Sequence, residues 1–391
     1  MSTQSKVECS YDVVVIGARV AGAATAMLLA RRGLRVLVVD RSQYGSDTLS
    51  THALMRGGVL QLSRWGVLDA IRASGTPAIR RVSFHYADEA ITVPIKKGDG
   101  VDGLYAPRRT VIDVALVDAA GQAGVKTLFG PRLVDLIRGS DGRVRGVVLE
   151  DREGRILLVR ANAIVGADGQ RSTVASLVGA EPYREGRHAS GVVYGYWRHL
   201  DVEPGRYHWH YRAGVSAGVI PTNEATCVFA SVPHHRFHQE TRRDITAGYR
   251  QVLDEVSPTL AAAVKAAEPA GRLRGFAGQT GYFRQSWGPG WALVGDAGYF
   301  KDPITAHGMT DALRDAELLA AAVADGSDAA LDEYQRTRDA LAGDVFDVTD
   351  EIAGYEWSLE RVRELHHELS RGMAHEVAHL SGLTGEAVAA G

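Results

Sequence analysis

The strongest constraint on the fold is a strand–turn–helix–strand pattern near the start of the chain. Tyr11–Ile16 is a mainly β-branched run, typical of a strand buried on both faces of a parallel sheet. The glycine-bounded turn Gly17–Gly22 follows, and the small residues of Ala23–Arg32 predict a closely packed helix. Arg35–Val39 has the composition of a second buried strand and leads into Asp40. Together these segments predict a βαβ unit, and with it an α/β domain.

The turn in this unit also indicates a chemistry. A turn between a buried strand and a helix directs backbone N–H groups at a phosphate, and an acid such as Asp40 can bind a ribose hydroxyl. Gly17 and Gly22 match the first and last glycines of the usual nucleotide-binding pattern, but Arg19 stands where the second glycine is expected. The sequence therefore predicts a nucleotide site. The alternative is a plain βαβ crossover whose small residues serve packing.

Two later segments place an acidic residue directly after a predicted buried strand. Gly166–Ser172 contains Asp168, although an Asp-Gly pair in isolation is also compatible with a simple turn. Gly295–Thr310 contains Asp296 and leads into a predicted helix. A carboxylate at a strand end can bind a polyol hydroxyl, and a helix N-terminus can stabilise negative charge on a ring system.

These three motifs, in this order, resemble those of the class A flavoprotein monooxygenases, the FAD-dependent aromatic hydroxylases related to para-hydroxybenzoate hydroxylase. The resemblance implies that the glycine turn holds the ADP half of FAD and that the Asp-Gly motif serves both FAD and NAD(P)H. It also implies that the Gly-Asp motif binds the ribityl chain, while its loop flanks the isoalloxazine ring. Arg109, which opens a predicted helix, resembles a flavin-contacting arginine. The residues assigned to FAD in this way are Gly17, Ala18, Val20, Ala21, Gly22, Asp40, Arg41, Arg109, Val134, Asp168, Gly295, Asp296, Pro303, Ala306, Gly308, Met309 and Thr310.

The chain departs from the family pattern at two positions besides Arg19. Ala306 stands where the family often has glycine, and Thr310 stands where it often has asparagine. These departures concern the fine geometry of the site rather than the identity of the cofactor.

The resemblance implies the chemistry of a monooxygenase. NAD(P)H, bound transiently, reduces a non-covalently bound FAD, and the reduced flavin forms a C4a-hydroperoxide with O₂ that hydroxylates or epoxidises a small electron-rich substrate, aromatic or polyketide-like. Other possibilities are a FAD-dependent C=C reductase or dehydrogenase resembling geranylgeranyl reductases, a flavin halogenase, and a non-catalytic flavin-binding protein. Halogenases typically carry Trp-x-Trp-x-Ile-Pro, whereas Gly218–Pro221 lacks the tryptophan pair and the chain has only six lysines.

Two histidines are candidates for a base that deprotonates a phenol or enol. His307 lies in the loop expected beside the flavin ring, and His52 lies in Ser50–His52. For each, the alternative is a structural histidine bonded to the backbone. A further set of aromatic residues, at alternating positions, is predicted either to line a substrate pocket or to pack a sheet. It comprises Tyr194, Tyr196, Trp209 and Tyr211.

The segment His375–His379 has the His-Glu-x-x-His spacing of a zinc-protease helix. The longer protease pattern requires a third ligand at the position of Gly385. The neighbouring residues are rich in His and Glu, which favours a solvated helix face. We therefore predict that the protein has no resident metal.

The predicted architecture is a Rossmann-like FAD-binding domain of the glutathione-reductase type with an inserted mixed β-sheet substrate domain and a helical C-terminal extension. The FAD-binding domain is assigned to residues 8–80, 105–180 and 271–330, the substrate domain to 81–104 and 181–270, and the C-terminal helices to 331–391.

Composition restricts the partners. The formal net charge is −3, so the chain lacks the basic surface expected of a nucleic-acid-binding protein. No apolar stretch reaches the length of about 18 residues that indicates a membrane span. The polar N-terminal residues do not resemble a secretory signal, and the two cysteines form no disulfide framework. These features predict a cytoplasmic protein. The family resemblance implies a small-molecule substrate and O₂ as its partners, and we expect a monomer or a homodimer.

Overall fold

The computed structural model describes residues 9–383. The strands are β1 (Cys9–Ile16), β2 (Val36–Asp40), β3 (Arg81–Tyr86), β4 (Glu89–Pro94), β5 (Lys126–Phe129), β6 (Arg132–Arg138), β7 (Val144–Glu150), β8 (Ile156–Gly166), β9 (Pro182–Glu185), β10 (Ser190–Arg198), β11 (Arg206–Arg212), β12 (Val215–Pro221), β13 (Thr226–Pro233), β14 (Glu268–Pro269), β15 (Arg274–Phe276), β16 (Tyr282–Arg284), β17 (Trp287–Gly288), β18 (Trp291–Leu293) and β19 (Tyr299–Phe300). The helices are α1 (Val20–Arg31), α2 (Arg56–Arg64), α3 (Leu68–Ala73), α4 (Arg109–Gln122), α5 (Thr173–Val178), α6 (His234–Arg236), α7 (Ile245–Val256), α8 (Pro258–Ala266), α9 (Gly308–Asp325), α10 (Asp328–Gly354) and α11 (Leu359–Gly382).

The first sheet contains the predicted parallel βαβ unit. β1 pairs in parallel with β2 on one side and with β8 on the other, and β5 and β18 continue the parallel order outwards. Every residue of β2 is buried, as its uniformly apolar run predicts. On one face of the sheet, α1 packs against α4 and α9 through small residues, of which Ala24 and Ala26 are fully buried. The carboxyl ends of β1, β8 and β18 therefore meet at one edge.

β8 is one continuous strand, although polar residues divide its apolar sequence into two short segments. β8 pairs with β7 along its first half and with β18 at its last residues, while β1 follows its other edge. Exposed Arg160 and Asn162 interrupt the apolar run in the sequence, but they mark only the solvent side of this strand.

The second sheet is the predicted inserted mixed sheet, with the strand order β14-β10-β13-β12-β11-β3-β4 and with β15 also paired to β10. β3 and β11 pair in parallel, although they come from distant parts of the chain. One face of this sheet is aromatic and packs against α10 and α11, and the opposite face packs against α7 and α8. The predicted fold class is confirmed.

Two strands cross the predicted domain limits. β9, in the predicted substrate segment, pairs with β16 in a small sheet that also contains β19, whereas β15, in the predicted FAD-binding segment, pairs with β10. α10 and α11 form part of the core, because Val345, Ile352 and Leu365 pack onto the aromatic sheet face. The division into domains stays a prediction. Within residues 9–383, no helix combines the length and apolarity needed to span a membrane.

Candidate active site

The glycine turn between β1 and α1 leaves almost no space around its backbone. Gly17 has a φ of +110°, and a Cβ there would lie 2.4 Å from the carbonyl O of Ala167. A Cβ on Gly22 would lie 1.9 Å from the carbonyl O of Gly17. Both positions therefore require glycine. The N-cap residue of α1, Arg19, makes no side-chain capping bond, so the first-turn N–H groups that begin at Val20 are available to an anion.

Asp40 fixes the shape of this turn from the end of β2. Its Oδ2 accepts a hydrogen bond from the N–H of Ala18 at 2.8 Å, and its Oδ1 accepts one from the N–H of Ser42 at 2.7 Å. The side chain also lines a small cavity together with Arg19 and Phe129. Asp40 thus has a structural function in the turn, and its contact with a ribose stays a prediction.

Arg19 is held by an ion pair with α4. Its Nη1 donates to Oδ2 of Asp113 at 3.0 Å, and Arg109 donates to Oδ1 of the same carboxylate from Nε at 3.1 Å and Nη2 at 2.9 Å. Two arginines share one nearly buried carboxylate, so a net positive charge lies beside the glycine turn. This charge suits a pyrophosphate group, so the arginine that replaces the expected glycine is compatible with a nucleotide site.

Of the residues assigned to FAD, Ala18 and Asp40 line the cavity beside the glycine turn, and most of the others do not. Val134 lies on β6, and Arg41 is exposed. The cavity wall is formed instead by residues that include Tyr44, Val117 and Phe129. The cofactor contacts of Val134 and Arg41 stay predictions.

Asp168 shapes the turn that follows β8. Its Oδ1 accepts a hydrogen bond from the Ser172 hydroxyl at 2.5 Å, and its Oδ2 accepts one from the N–H of Thr173 at 2.6 Å. Burial raises the pKa of the Asp168 carboxyl. Since these bonds hold the carboxylate at the start of α5, its direct contact with a nucleotide stays a prediction.

Asp296, in the Gly-Asp motif, lies beside the Asp-Gly motif and close to Arg109. The side chain of Gln170, from the Asp-Gly motif, hydrogen-bonds to Asp296, and the charge of Arg109 also acts on it. Burial raises the pKa of Asp296 to about 6, while Arg109 opposes this shift. The Tyr282 hydroxyl donates to the Asp296 backbone O at 2.5 Å and fixes the turn. An acid held among polar groups at a strand end is suited to binding hydroxyl groups.

The loop after Asp296 is shaped by a cap and by a left-handed residue. Asp302 accepts a hydrogen bond from the N–H of Ile304 at 2.9 Å, and Ala306 has a φ of +52°. That backbone conformation favours glycine, which accounts for the residue that the family often has there. Thr310 Oγ1 accepts a hydrogen bond from the N–H of Met55 at 3.0 Å, so the start of α9 is joined to the segment that contains His52.

We expect Ala306→Gly to raise the free energy of unfolding by up to about 1 kcal/mol. Glycine removes the steric strain of the left-handed backbone in the folded state, and this gain exceeds the entropic cost of ordering a more flexible residue. Urea denaturation measures the change. The control is Ala321→Gly at an exposed position of α9, where we expect a loss of about 1 kcal/mol. An equal loss at the two positions would contradict the strain at Ala306.

His307 lies in a buried cluster of charged groups. Its Nδ1 is 3.1 Å from Asp311 Oδ1, and its Nε2 is 3.5 Å from Glu376 Oε2. Asp311 also contacts Lys301 and Arg314. Burial, with the charges of Lys301 and Arg314, lowers the pKa of His307 well below its usual value. A ring with both nitrogens beside carboxylates favours a structural role for His307, although its partners are side chains and not the backbone.

The burial of Glu376 corrects our prediction that the His-Glu-x-x-His segment lies on a solvated helix face. His375 is exposed as a solvated face predicts, but Glu376 is 1% exposed and lies 3.5 Å from Arg314. The correction arises because α11 packs against α2, where a Cβ on Gly57 would lie 3.3 Å from Glu376 Oε1. Lys301 and Arg314 already supply cations to this cluster. The position of Gly385 lies outside the described residues.

His52 has the most unusual environment of the predicted site residues. It is 1% exposed with a φ of +70°, and its Nε2 forms a short hydrogen bond with the Tyr196 hydroxyl. Among the described residues, its buried Nδ1 has no hydrogen-bonding partner. Burial and the charge of Arg108 lower its pKa well below the usual value. Tyr194 joins this group, because its hydroxyl accepts a hydrogen bond from the N–H of Ser50 at 3.1 Å.

The other two predicted substrate residues pack within the protein. The ring centroid of Trp209 lies 5.8 Å from that of Phe229, and the ring centroid of Tyr211 lies 4.5 Å from that of His366 on α11. Each side chain is 6% exposed. These contacts favour the packed-sheet alternative for Trp209 and Tyr211.

The family follows from comparison with known proteins. A model described as the FAD binding domain matches residues 10–349. The chain belongs to this FAD-binding family. The predicted resemblance, the FAD cofactor and the assignment as a flavoprotein enzyme are confirmed.

Curated relatives of this FAD-binding chain include two that align over most of it. A protein named menaquinone reductase from Mycolicibacterium smegmatis is 29% identical over 344 residues, which cover 81% of this chain and 76% of the relative. A protein named 6-methylpretetramide 4-monooxygenase from Streptomyces rimosus is 27% identical over 315 residues, which cover 78% and 73%. The solved structure of the flavin-dependent brominase Bmp2 covers 95% of this chain and 93% of its own at a TM-score of 0.77 and 21% identity, which establishes similarity of fold alone.

The residues present fit FAD. Close packing at Gly17 and Gly22 fixes the turn, the first-turn N–H groups of α1 are available to a pyrophosphate, and the shared charge of Arg19 and Arg109 lies beside them. Asp296 offers a half-buried carboxylate for hydroxyl groups. The donor set is therefore that of a dinucleotide with a polyol chain.

Two residues of this site were missed by the sequence analysis. Asp113 lies four residues after Arg109 on a predicted helix, and this spacing favours an ion pair. Gln170 lies within the Asp-Gly motif, but its contact with Asp296 joins segments more than 100 residues apart. The spacing in the sequence could have predicted the ion pair of Asp113, whereas the contact of Gln170 depends on tertiary structure.

Proposed function

We propose that this FAD-binding enzyme is a monooxygenase that uses transiently bound NAD(P)H and O₂ to hydroxylate or epoxidise a small electron-rich molecule, aromatic or polyketide-like. The observation that carries the proposal is the buried pair of His52 and Tyr196. It supplies a neutral base beside the start of α9 and the aromatic sheet face. The relative from Streptomyces rimosus, which is named as a monooxygenase, supports the same reaction class.

FAD, when bound, supplies the redox chemistry. The chain positions it through the glycine turn and Asp296, and it handles the proton of the substrate. In the tautomer in which Nε2 carries the hydrogen and donates to Tyr196, Nδ1 of His52 has a free lone pair. A substrate hydroxyl at Nδ1 transfers its proton there, which leaves an electron-rich oxyanion and an imidazolium. The nearby charges of Arg108 and Arg109 stabilise the oxyanion.

The NAD(P)H site is proposed at a surface groove beside the Asp-Gly motif. Arg171, Ser172 and Arg284 line this groove. Two guanidinium groups beside hydroxyl donors suit the phosphates of a pyridine nucleotide. The cytoplasmic location and the monomeric or homodimeric state stay predictions.

A second candidate is a flavin-dependent reductase of a C=C bond or a quinone. It is favoured by the relative named menaquinone reductase, which aligns over 81% of this chain. Such an enzyme would turn over without O₂, so the two functions differ in a measurable requirement.

The deciding experiment is a screen of phenolic and polyketide-like substrates for stimulated NAD(P)H oxidation, followed by turnover under isotopically labelled O₂. A monooxygenase incorporates one labelled oxygen atom into the product for each NAD(P)H oxidised. Product formation at an equal rate without O₂ would reject the monooxygenase and support the reductase.

We expect Asp296→Ala to weaken FAD binding about 10- to 100-fold, because a hydrogen bond to a charged group contributes roughly 1.5–3 kcal/mol. Equilibrium dialysis with flavin fluorescence measures the dissociation constant. Asp254→Ala, at an exposed position of α7, is the control and should bind FAD as the wild type does. Equal FAD retention by both variants would remove the ribityl assignment.

A further inference from the structure

The second sheet carries three histidines on the face opposite to its aromatic residues. Residues alternate along β11, so Trp209 faces the helices α10 and α11 while His208 and His210 face the other way. His85 on β3 lies beside His210 in the parallel register of the two strands. All three imidazoles are half-buried.

The three rings form one compact group. His85 Nε2 lies 3.1 Å from His208 Nδ1, and the rings of His85 and His210 stack with centroids 4.2 Å apart. One nitrogen from each ring can be chosen so that all three lie within 4.8 Å of one another. A tetrahedral zinc ion with Zn–N bonds of about 2.0–2.1 Å holds its nitrogens roughly 3.4 Å apart. His85 and His208 already have nearly this spacing, and rotation of the His210 ring completes it.

Burial keeps these histidines in the ligating form. It lowers the pKa of His208 to about 4 and that of His210 to about 3, and it lowers the pKa of His85 as well. Neutral imidazole is the form that binds metal, so no proton competes at neutral pH. Among the described residues, the buried Nε2 of His208 has no hydrogen-bonding partner.

Other charged groups near the three rings are already paired. Glu203 forms ion pairs with Arg81 at 2.7 Å and with Arg206 at 2.9 Å. The ligand set is therefore three imidazoles without a carboxylate. This set suits borderline metals such as Zn²⁺, Co²⁺ or Ni²⁺ and disfavours Mg²⁺ and Ca²⁺, which prefer oxygen ligands.

We propose that His85, His208 and His210 bind one divalent transition-metal ion, Zn²⁺ above all, on the sheet face away from the flavin loops. Because the rings are half-exposed, a water molecule can complete a tetrahedral set. The ion joins β3 to β11, two strands that are far apart in sequence, and so stabilises the inserted sheet. The proposal is independent of the reaction catalysed, and it goes beyond the metal-free protein that the sequence predicts.

The test uses the full-length holoenzyme after removal of metal with a chelator. Titration with Co²⁺, followed by its visible absorption, and competition by Zn²⁺ against a chromophoric chelator should each give one equivalent bound. We expect His210→Ala to weaken Zn²⁺ binding at least about 100-fold, since even indirect supports of metal ligands contribute about 10- to 100-fold. Zn²⁺ should raise the Tm of the wild type but not that of the variant.

A double variant separates this site from the helical histidine pair. His375→Asn with His379→Asn removes the His-Glu-x-x-His ligands, and its Zn²⁺ affinity should equal that of the wild type. FAD content checks the folding of His210→Ala, and His85→Ala replaces it if FAD is lost. The proposal is overturned if no equivalent of Zn²⁺ binds, if the sheet variants bind as tightly as the wild type, or if the double variant alone abolishes binding.

Discussion

Replacing His52 by alanine should lower kcat by about 10²- to 10⁴-fold while FAD stays bound, since this is the usual contribution of a positioned general base. The expectation depends on geometry. His52 is buried, has a backbone φ of +70° and leaves its Nδ1 without a partner among the described residues. A non-glycine residue held in this conformation is strained, and such strain concentrates at functional sites. Absorbance of bound flavin and substrate-stimulated NAD(P)H oxidation are measured on the same sample.

Two buried tyrosines, of which one binds His52, provide a matched pair of variants. Tyr196→Phe removes the hydroxyl that holds His52 Nε2, and we expect kcat to fall about 10-fold or more, in keeping with a lost hydrogen bond of roughly 1–2 kcal/mol. Tyr207→Phe removes a hydroxyl that is buried without a partner among the described residues, so kcat should be unchanged. Equal effects of the two variants, or normal turnover of His52→Ala, would reject the assignment of the base.

The pH profile tests the same residue. A base acts when neutral, and burial together with Arg108 lowers the pKa of His52 well below its usual value. Protonation is therefore delayed to lower pH, and kcat should stay level as the pH falls through about 6.5, the ordinary pKa of histidine. A loss of kcat with an apparent pKa near that value would indicate an exposed base elsewhere.

The sequence predicted those parts of the site that depend on local backbone geometry. The glycines of the turn and the acids at the strand ends lie where a strand, a turn and a helix follow one another, and Gly17 and Asp296 occupy those places. Ala306 shows the same logic, because its left-handed backbone explains the glycine that the family often has there.

Long-range contacts set the properties that the sequence did not predict. The Tyr196 hydroxyl reaches His52 across 144 positions, so neither residue indicates the pair by itself. Glu376 belongs to a segment that resembles a metal site, yet the packing of α11 buries it beside Arg314. Side-chain spacing within one helix predicts which residues share a face, but it does not show what that face contacts.

Replacing Arg314 by methionine should destabilise the protein by about 3–5 kcal/mol, the usual effect of removing one partner from a buried ionic network. Its side chain is 1% exposed, and it donates to Asp315 at 2.7 and 2.9 Å and to Asp311 at 3.0 Å. Methionine fills a similar volume but carries no charge. The carboxylates of Asp311, Asp315 and Glu376 then retain Lys301 as the cation of the cluster. Urea denaturation, followed by circular dichroism, measures the free energy of unfolding.

Two further measurements distinguish this network from an ordinary ion pair. Arg361→Met disrupts exposed ion pairs with Glu351 and Glu368, so it should cost no more than about 1 kcal/mol. Burial raises the pKa of Glu376 and the charge of Arg314 opposes this shift, so removal of Arg314 should raise the pKa further, and protonation of Glu376 then favours the folded state as the pH falls. Lowering the pH from about 7 to 5 should therefore recover part of the lost stability. Two outcomes would show that the buried cluster does not stabilise the loop at His307. One is that Arg314→Met lowers the free energy of unfolding no more than Arg361→Met does. The other is that the loss of stability in Arg314→Met increases steadily as the pH falls.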